Sequence, residues 1–278
     1  MIMRALRPCS RMILAVAALT AGCEGKSSLS EEAFCQEYAR IECTKVAAFC
    51  SFMPSVCEPV RVAVCRDFAA RAKGVGHQYN PSKTEPCLKK LEEAYRTLPI
   101  NAASLKAVDD ICLRVFEGTT RAAEPCAADY DCTGPLICDK GRCGTEKLVA
   151  AGGGCANIGE RCPKDEYCSN ANPAALYLCA KRPGAGAACS ETQPCSENFR
   201  CRTTCTARLD VGAECSGDDD CLSGYCNRYV LPGTTRTCGP GLTFSNQAPS
   251  CVAYMSPPTR GTSELSDAGA SGDASPGN

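Results

Sequence analysis

The sequence predicts a small disulfide-rich fold in two parts, an N-terminal disulfide-stapled helical domain of about four helices followed by tandem four-cysteine modules with short strands and turns. Three observations predict it. Cysteine occurs 26 times in 278 residues, a density that marks a disulfide scaffold. A block of four cysteines recurs along the second half of the chain. Apolar residues recur at three- and four-residue spacing across the first half, one face of a helix. With no Trp, seven Phe and nine Tyr, a conventional core is poorly supplied, and chains of this kind are stapled by disulfides instead.

The N-terminus reads as an export signal. Arg4, Arg7 and Arg11 precede an apolar run from Met12 to Ala21, a charged segment followed by a hydrophobic one. The run falls short of the ~20 apolar residues that span a bilayer as a helix. Leu19 to Cys23, LTAGC, then resembles the lipobox of bacterial lipoproteins. Thr20 stands where that family has its usual leucine, with Leu19 one step earlier. The resemblance implies removal of residues 1–22 and a lipid on Cys23. Glu24 follows, not the aspartate that the family associates with inner-membrane retention. The expected location is therefore the cell envelope, at the outer membrane or cell surface, with the membrane as one partner through the lipid. Setting aside Cys9 and Cys23 leaves 24 cysteines, an even number that can all pair. Without the three leader arginines, 27 basic residues face 31 acidic ones. That balance lacks the clustered basic charge of a nucleic-acid binder.

After a polar tether over 23–29, residues 30–120 read as helices. Ser30 is a candidate N-cap, with Glu31 and Glu32 in the first turn where acids suit the helix dipole. Phe34, Tyr38, Ile41, Val46 and Phe49 form one face. Pro54 breaks this helix, and a second runs from Ser55 to Gly74 with Pro59 near its first turn. Ser82 to Glu85 has the form of a capping box ahead of a third helix, and a fourth spans Ala102 to Phe116. Cys35 and Cys43 are eight apart, as are Cys57 and Cys65. Eight residues rise ~12 Å, so two antiparallel helices can bridge Cys35 to Cys65 and Cys43 to Cys57. Cys87 and Cys112 can tie the third helix to the fourth. Cys50 is left over.

The modules occupy 121–254. Their cysteine blocks span Cys126–Cys143, Cys155–Cys179, Cys189–Cys205 and Cys215–Cys238. First gaps hold five or six residues, second gaps four or five, and last gaps three to eleven. The phrases GGGC, GAAC and GAEC place a glycine turn before three of the blocks. Four cysteines allow three pairings, and spacing does not choose among them. The rhythm, and the phrase GAECSGDDDCLSGYC at Gly212–Cys226, resemble cysteine-rich repeats of the Dickkopf N-terminal and EB-module type. That resemblance implies first-to-third and second-to-fourth pairing: Cys126 with Cys138 and Cys132 with Cys143, then Cys155 with Cys168 and Cys162 with Cys179. It likewise implies Cys189 with Cys201, Cys195 with Cys205, Cys215 with Cys226 and Cys221 with Cys238. Cys251 stands alone after the fourth block, and parity makes it the candidate partner for the odd cysteine of the helical domain, with the partners of Cys50 and Cys251 left open. The segment 255–278 is rich in Ser, Gly, Ala and Pro and is expected to be a disordered tail.

Motifs of chemistry are sparse. There is one histidine, His77, and no C-x2-C pair, so neither a zinc site nor a thiol redox site is expected. No cofactor and no catalytic residue is expected; His77 reads as a solvated loop residue. Asp218, Asp219 and Asp220 read as a solvated acidic turn, without the alternating carboxylates of an EF-hand. The function expected is non-enzymatic binding or adhesion at the surface, toward an unknown protein or glycan partner. An inhibitor of hydrolases is the alternative, with Arg200 or Arg202 on a bridge-flanked loop as bait. An envelope structural protein without a specific ligand is a third.

Overall fold

The computed structural model describes residues 29–170, 177–230, 234–245 and 248–256. The expected leader, Cys23, nearly all of the expected tether and the expected tail beyond 256 lie outside the described residues. Among the described residues, twelve disulfides join the 24 cysteines from Cys35 to Cys251.

Helix α1 (Glu31–Cys50) starts at Ser30, whose side chain accepts from the Ala33 N–H at 3.2 Å. Helix α2 (Pro54–Gly74) takes Pro54 as its first residue, a position whose N–H needs no intrahelical partner. Pro54 thus opens the helix that it was expected to precede, and Pro59 lies inside α2. The two helices are joined by Cys35–Cys65 and Cys43–Cys57, with Cα separations of 5.5 and 5.7 Å.

The third helix begins differently from the sequence expectation. Asn80, not Ser82, is the cap: its Oδ1 accepts from the Ser82 N–H at 3.0 Å and from the Ser82 hydroxyl at 2.7 Å. Pro81 sits at the first position of the 3-10 turn Pro81–Lys83, which runs straight into α3 (Thr84–Ala94). Ser82 has spent its hydroxyl on Asn80 and caps nothing. Helix α4 (Ala102–Cys112), capped by the Asn101 side chain, stops four residues short of Phe116. Cys112 is tied to Cys87 of α3, and the chain then tightens into a 3-10 turn at Leu113–Val115. Phe116 is needed elsewhere: β2 (Phe116–Glu117) pairs with β1 (Gln78–Tyr79), and its ring is buried against Phe34, Phe68 and Tyr79.

The four blocks share one plan. Strands β3 (Leu136–Asp139) and β4 (Arg142–Thr145) place Cys138 opposite Cys143. Strands β7 (Glu166–Ser169) and β8 (Leu178–Lys181) place Cys168 opposite Cys179. Strands β9 (Phe199–Cys201) and β10 (Cys205–Ala207) place Cys201 opposite Cys205, and an isolated bridge sets Cys226 opposite Cys238. Directly opposed residues project to the same face of a pair. The third and fourth cysteines of a block therefore present their sulfurs side by side, and the first and second come in to meet them. The variable last gap becomes the hairpin loop, so its length changes without disturbing the bridges. In the shortest two-residue loop Lys140 and Gly141 both have positive φ, 52° and 70°, the backbone of a type I′ turn.

Linkers connect the blocks by parallel pairing. The strand β5 (Lys147–Leu148) lies parallel to β6 (Glu160–Arg161). Thr120 pairs in parallel with Cys132, and Leu209 with Cys221. In the third block the Ser196 N–H donates to the Pro183 carbonyl at 2.9 Å. Each block is thus entered by a segment that pairs beside its own second cysteine. The interior of the fourth block is Cys215, Cys221, Cys226 and Cys238 with Leu209 packed against them; sulfur replaces the aliphatic core. The larger apolar cluster instead joins helices to the C-terminal segment: Ile41, Val46, Leu91 and Ile100 pack with Tyr225, Leu242, Phe244 and Tyr254. The last residue of that segment's helix, α5 (Pro249–Met255), is Met255, which the sequence assigned to the tail.

Candidate binding cleft

The fourth block docks on the helices. Ile100 and Leu242 exchange two backbone hydrogen bonds, both 2.9 Å, and Cys50 is bonded to Cys251. Gly241 allows the approach: a Cβ there would lie 2.3 Å from the Ile100 carbonyl oxygen. The contact leaves a cleft in two lobes. The inner lobe, about 110 Å³, lies between α1, α2, α4 and the block. The outer lobe, about 250 Å³, lies between the start of α4 and the turn Asp218–Asp219. Leu105, Asp109, Tyr225 and Arg228 line both.

Aromatic side chains concentrate here. Five of the nine tyrosines and three of the seven phenylalanines line the inner lobe. Its floor is a buried charged network. Glu42 is 2 % exposed and receives Arg61 Nε at 2.7 Å. The Tyr95 hydroxyl donates to the same carboxylate at 3.0 Å, and Arg61 lies over the Tyr254 ring at 4.4 Å. Burial, followed by the Glu42 charge, pushes the Tyr95 and Tyr254 hydroxyls well above the ordinary value for tyrosine. Both stay neutral. A buried pair with its remaining lone pairs satisfied is tolerated, and this one fixes the floor rather than offering a free charge.

The shared middle of the cleft differs. The Tyr225 hydroxyl is buried with no hydrogen-bond partner, in a residue only 2 % exposed. Burial raises its pKa to about 12. Asp109 is mostly buried, and desolvation, opposed by the Arg228 charge, raises its carboxyl to about 6. Arg228 itself is committed to Asp218, at 3.0 Å, and Lys106 to Asp110, at 3.2 Å. Unsatisfied buried polar groups are uncommon in folded proteins and call for an explanation.

The residues that the sequence singled out lie elsewhere or in other roles. His77 is no solvated loop residue: its side chain is 10 % exposed, its Nε2 lies 3.1 Å from Asp131 Oδ1, and its ring meets Tyr130 edge-on. It pins the helices to the first block, where Gly118 approaches so closely that a Cβ would sit 1.9 Å from the Asp131 carbonyl oxygen. The acidic turn is likewise not merely solvated. Asp220 is buried and accepts from the Ser216 N–H at 2.8 Å and from Arg200 and Arg202 at 2.7 and 3.0 Å. Asp218 accepts from the Cys226 N–H at 2.7 Å. Arg200 and Arg202 both reach Asp220 across the third and fourth blocks, with side chains 18 % and 54 % exposed.

Three sulfurs of each block lie within 4.8 Å of one another. Each belongs to a disulfide, so none offers the thiolate that zinc needs. Cys23 lies outside the described residues.

Asp109, Tyr225 and Arg228 escaped the sequence reading because nothing local marks them. A signal did exist for the turns. Aspartates stand three and five positions after the first cysteine in both the first and fourth blocks, Asp129 and Asp131, Asp218 and Asp220. In both, the first aspartate accepts from the N–H of the third cysteine and the second from the N–H after the first cysteine. No protein-family model matches the chain, and no curated protein or solved structure matches it significantly.

Proposed function

We propose that this is an exported, lipid-anchored, non-enzymatic binding protein of the cell envelope, and that its ligand seat is the cleft between the helices and the fourth block. One observation carries the reading. The Asp109 carboxyl, with no hydrogen bond or ion pair among the described residues, and the buried, unpaired Tyr225 hydroxyl belong to residues that line both lobes of one cleft. Binding sites have this character, apolar walls with a few converging polar groups. The leader with Cys23, and a disulfide density suited to an oxidising compartment, support export and anchoring. The resemblance to Dickkopf N-terminal and EB-type modules supports a role in display. The sole histidine, tied to Asp131, lines neither lobe of the cleft, which favours binding over catalysis.

Two measurements test it. The mass of the protein exported with its own leader and alkylated without reduction should show a chain starting at Cys23, added acyl groups and no alkylated thiol. Ligand-observed NMR with amines, saccharides and short peptides should find saturable binding that Ala103→Trp, which fills the outer lobe, abolishes. An unlipidated chain removes the anchor; binding indifferent to Ala103→Trp removes the cleft.

A further inference from the structure

The unpaired charge in the cleft is of one sign. Lys106 is matched by Asp110 and Arg228 by Asp218, so the outer lobe keeps two carboxylates without an ion-pair partner, Asp109 and Asp219, and no uncommitted cation. Asp219 is exposed at the mouth and Asp109 is mostly buried within. Tyr225, whose hydroxyl is buried and unpartnered, lines the same lobe.

We infer that the cleft binds a primary ammonium group carried on an alkyl chain, with Asp109 and the Tyr225 oxygen accepting its hydrogens and Asp219 drawing it to the entrance. This deepens the proposed function and rests on it. A bare metal ion fits less well. Among the described residues no three carboxylates approach one another closely enough to hold an ion, whereas divalent cations require several converging oxygens. An ammonium needs only two or three acceptors and is favoured further by aromatic rings; Tyr225 lines both lobes and Tyr229 the inner one. The space is adequate. An outer lobe of about 250 Å³ exceeds the ~150 Å³ that admits benzene in an engineered cavity. The raised pKa of Asp109, which falls at about 6, is that of a carboxyl awaiting a counter-charge.

The same chemistry could arrive as a free diamine or as a lysine side chain of a partner. The test titrates the intact, disulfide-bonded protein with 1,5-diaminopentane, Nα-acetyl-lysine methylamide, pentanol, N-acetylglucosamine and calcium, read by calorimetry. Saturable binding of an amine and not of pentanol is expected. Asp109→Asn should weaken it roughly tenfold or more and Tyr225→Phe about threefold, as loss of a charged and a neutral acceptor imply. Ala103→Trp should abolish it. Preference for the lysine derivative over the diamine points to a protein ligand, and the reverse to a free amine; both support the assignment. Because Asp109→Asn removes a buried charge, its melting temperature should not fall, so lost binding is not lost folding. Pentanol or N-acetylglucosamine binding as well as the amines, or calcium alone binding, would overturn the ammonium and leave the binding reading standing. No saturable binding by any probe overturns both.

Discussion

Cys50, the last residue of α1, is bonded to Cys251 in α5, 201 residues further along the chain, with a Cα separation of 5.4 Å. The bridge holds the segment that supplies Tyr254 to the cluster of Ile41, Val46 and Leu91. A loop of that length would contribute about 5 kcal/mol by chain entropy if nothing else constrained it. Nine bridges inside the loop already shorten the free chain. Replacing both cysteines by serine should therefore lower the unfolding free energy by about 3 kcal/mol, measured by guanidinium titration. An unchanged midpoint would show that the helices hold the C-terminal segment without the bridge.

Arg61→Met should be among the most damaging single changes in the helices. It strands Glu42, which is 2 % exposed, with two tyrosine hydroxyls and no cation. Breaking one side of a buried pair costs about 3–5 kcal/mol. The double variant Glu42→Leu with Arg61→Met should recover most of the loss. A double-mutant cycle on denaturant midpoints measures the coupling, and additive losses would contradict it.

The parts legible in the sequence are those set by short-range geometry. Cys35, Cys43, Cys57 and Cys65 repeat one spacing on two successive helices, and antiparallel packing brings equal spacings level. The ~80° drift over eight residues did not prevent both bridges. Ser30 and Gly74 mark helix limits by backbone chemistry that acts within one turn. Ser82 misled because Asn80 and Pro81, just upstream, form a stronger start. His77, Asp109 and Tyr225 were invisible for a different reason. Each acquires its environment from a segment far along the chain: His77 from Asp131, Asp109 from the fourth block, Tyr225 from the helices. Periodicity and spacing carry no record of such docking. The aspartates at matching positions of the first and fourth blocks were legible in principle, since recurrence at fixed offsets from a cysteine argues for a backbone role over solvation.

Asp220 should make the fourth block acid-sensitive. Burial works to raise its carboxyl, but hydrogen bonds from Ser216, then Arg200 and Arg202, outweigh that and hold it well below the ordinary carboxylate range. A depressed folded value means stability present above the unfolded pKa of ~3.9 and lost as pH falls below it. Asp220→Ala, which strands Arg200 and the Ser216 N–H, should cost about 2 kcal/mol at pH 7 and much less at pH 2. A pH-independent loss in thermal unfolding would argue against the assignment.

Asp109 should act in the opposite sense. Its carboxyl is raised from 3.8 to about 6 by desolvation, with Arg228 opposing and Asp110, Lys106 and Asp218 as lesser neighbours. Between those two values the folded state binds the proton more tightly than the unfolded chain, so stability declines as pH rises from about 4 to 6. Asp109→Asn should remove that decline and gain about 2 kcal/mol at neutral pH, after allowing for residual solvent. Denaturant midpoints of both proteins from pH 4 to 8 decide it, and parallel curves would exclude Asp109 as their source.

The first block contains a correctable strain. Gly152, Gly186 and Gly212 stand three residues before the first cysteine of the second, third and fourth blocks, with φ of 69°, 75° and 93°. The first block has Ala123 at the same offset, with φ of 66°. In the first, third and fourth blocks the N–H of this residue donates to the carbonyl of the fourth cysteine, at 2.7, 2.8 and 2.8 Å. The left-handed backbone therefore serves to close the block against its own hairpin, and Ala123 adopts it despite its Cβ. That conformation costs a non-glycine residue roughly 1–2 kcal/mol, while glycine brings an entropic penalty of about 0.5–1 kcal/mol from the unfolded chain. The difference favours Ala123→Gly by up to about 1 kcal/mol. Gly212→Ala should lose a similar amount, although nothing lies within 4 Å of its added Cβ, because its penalty is conformational and not steric. The two substitutions should shift the melting temperature in opposite directions. If both lower it, the turn before the first block draws on a side-chain contact of Ala123 rather than on backbone freedom.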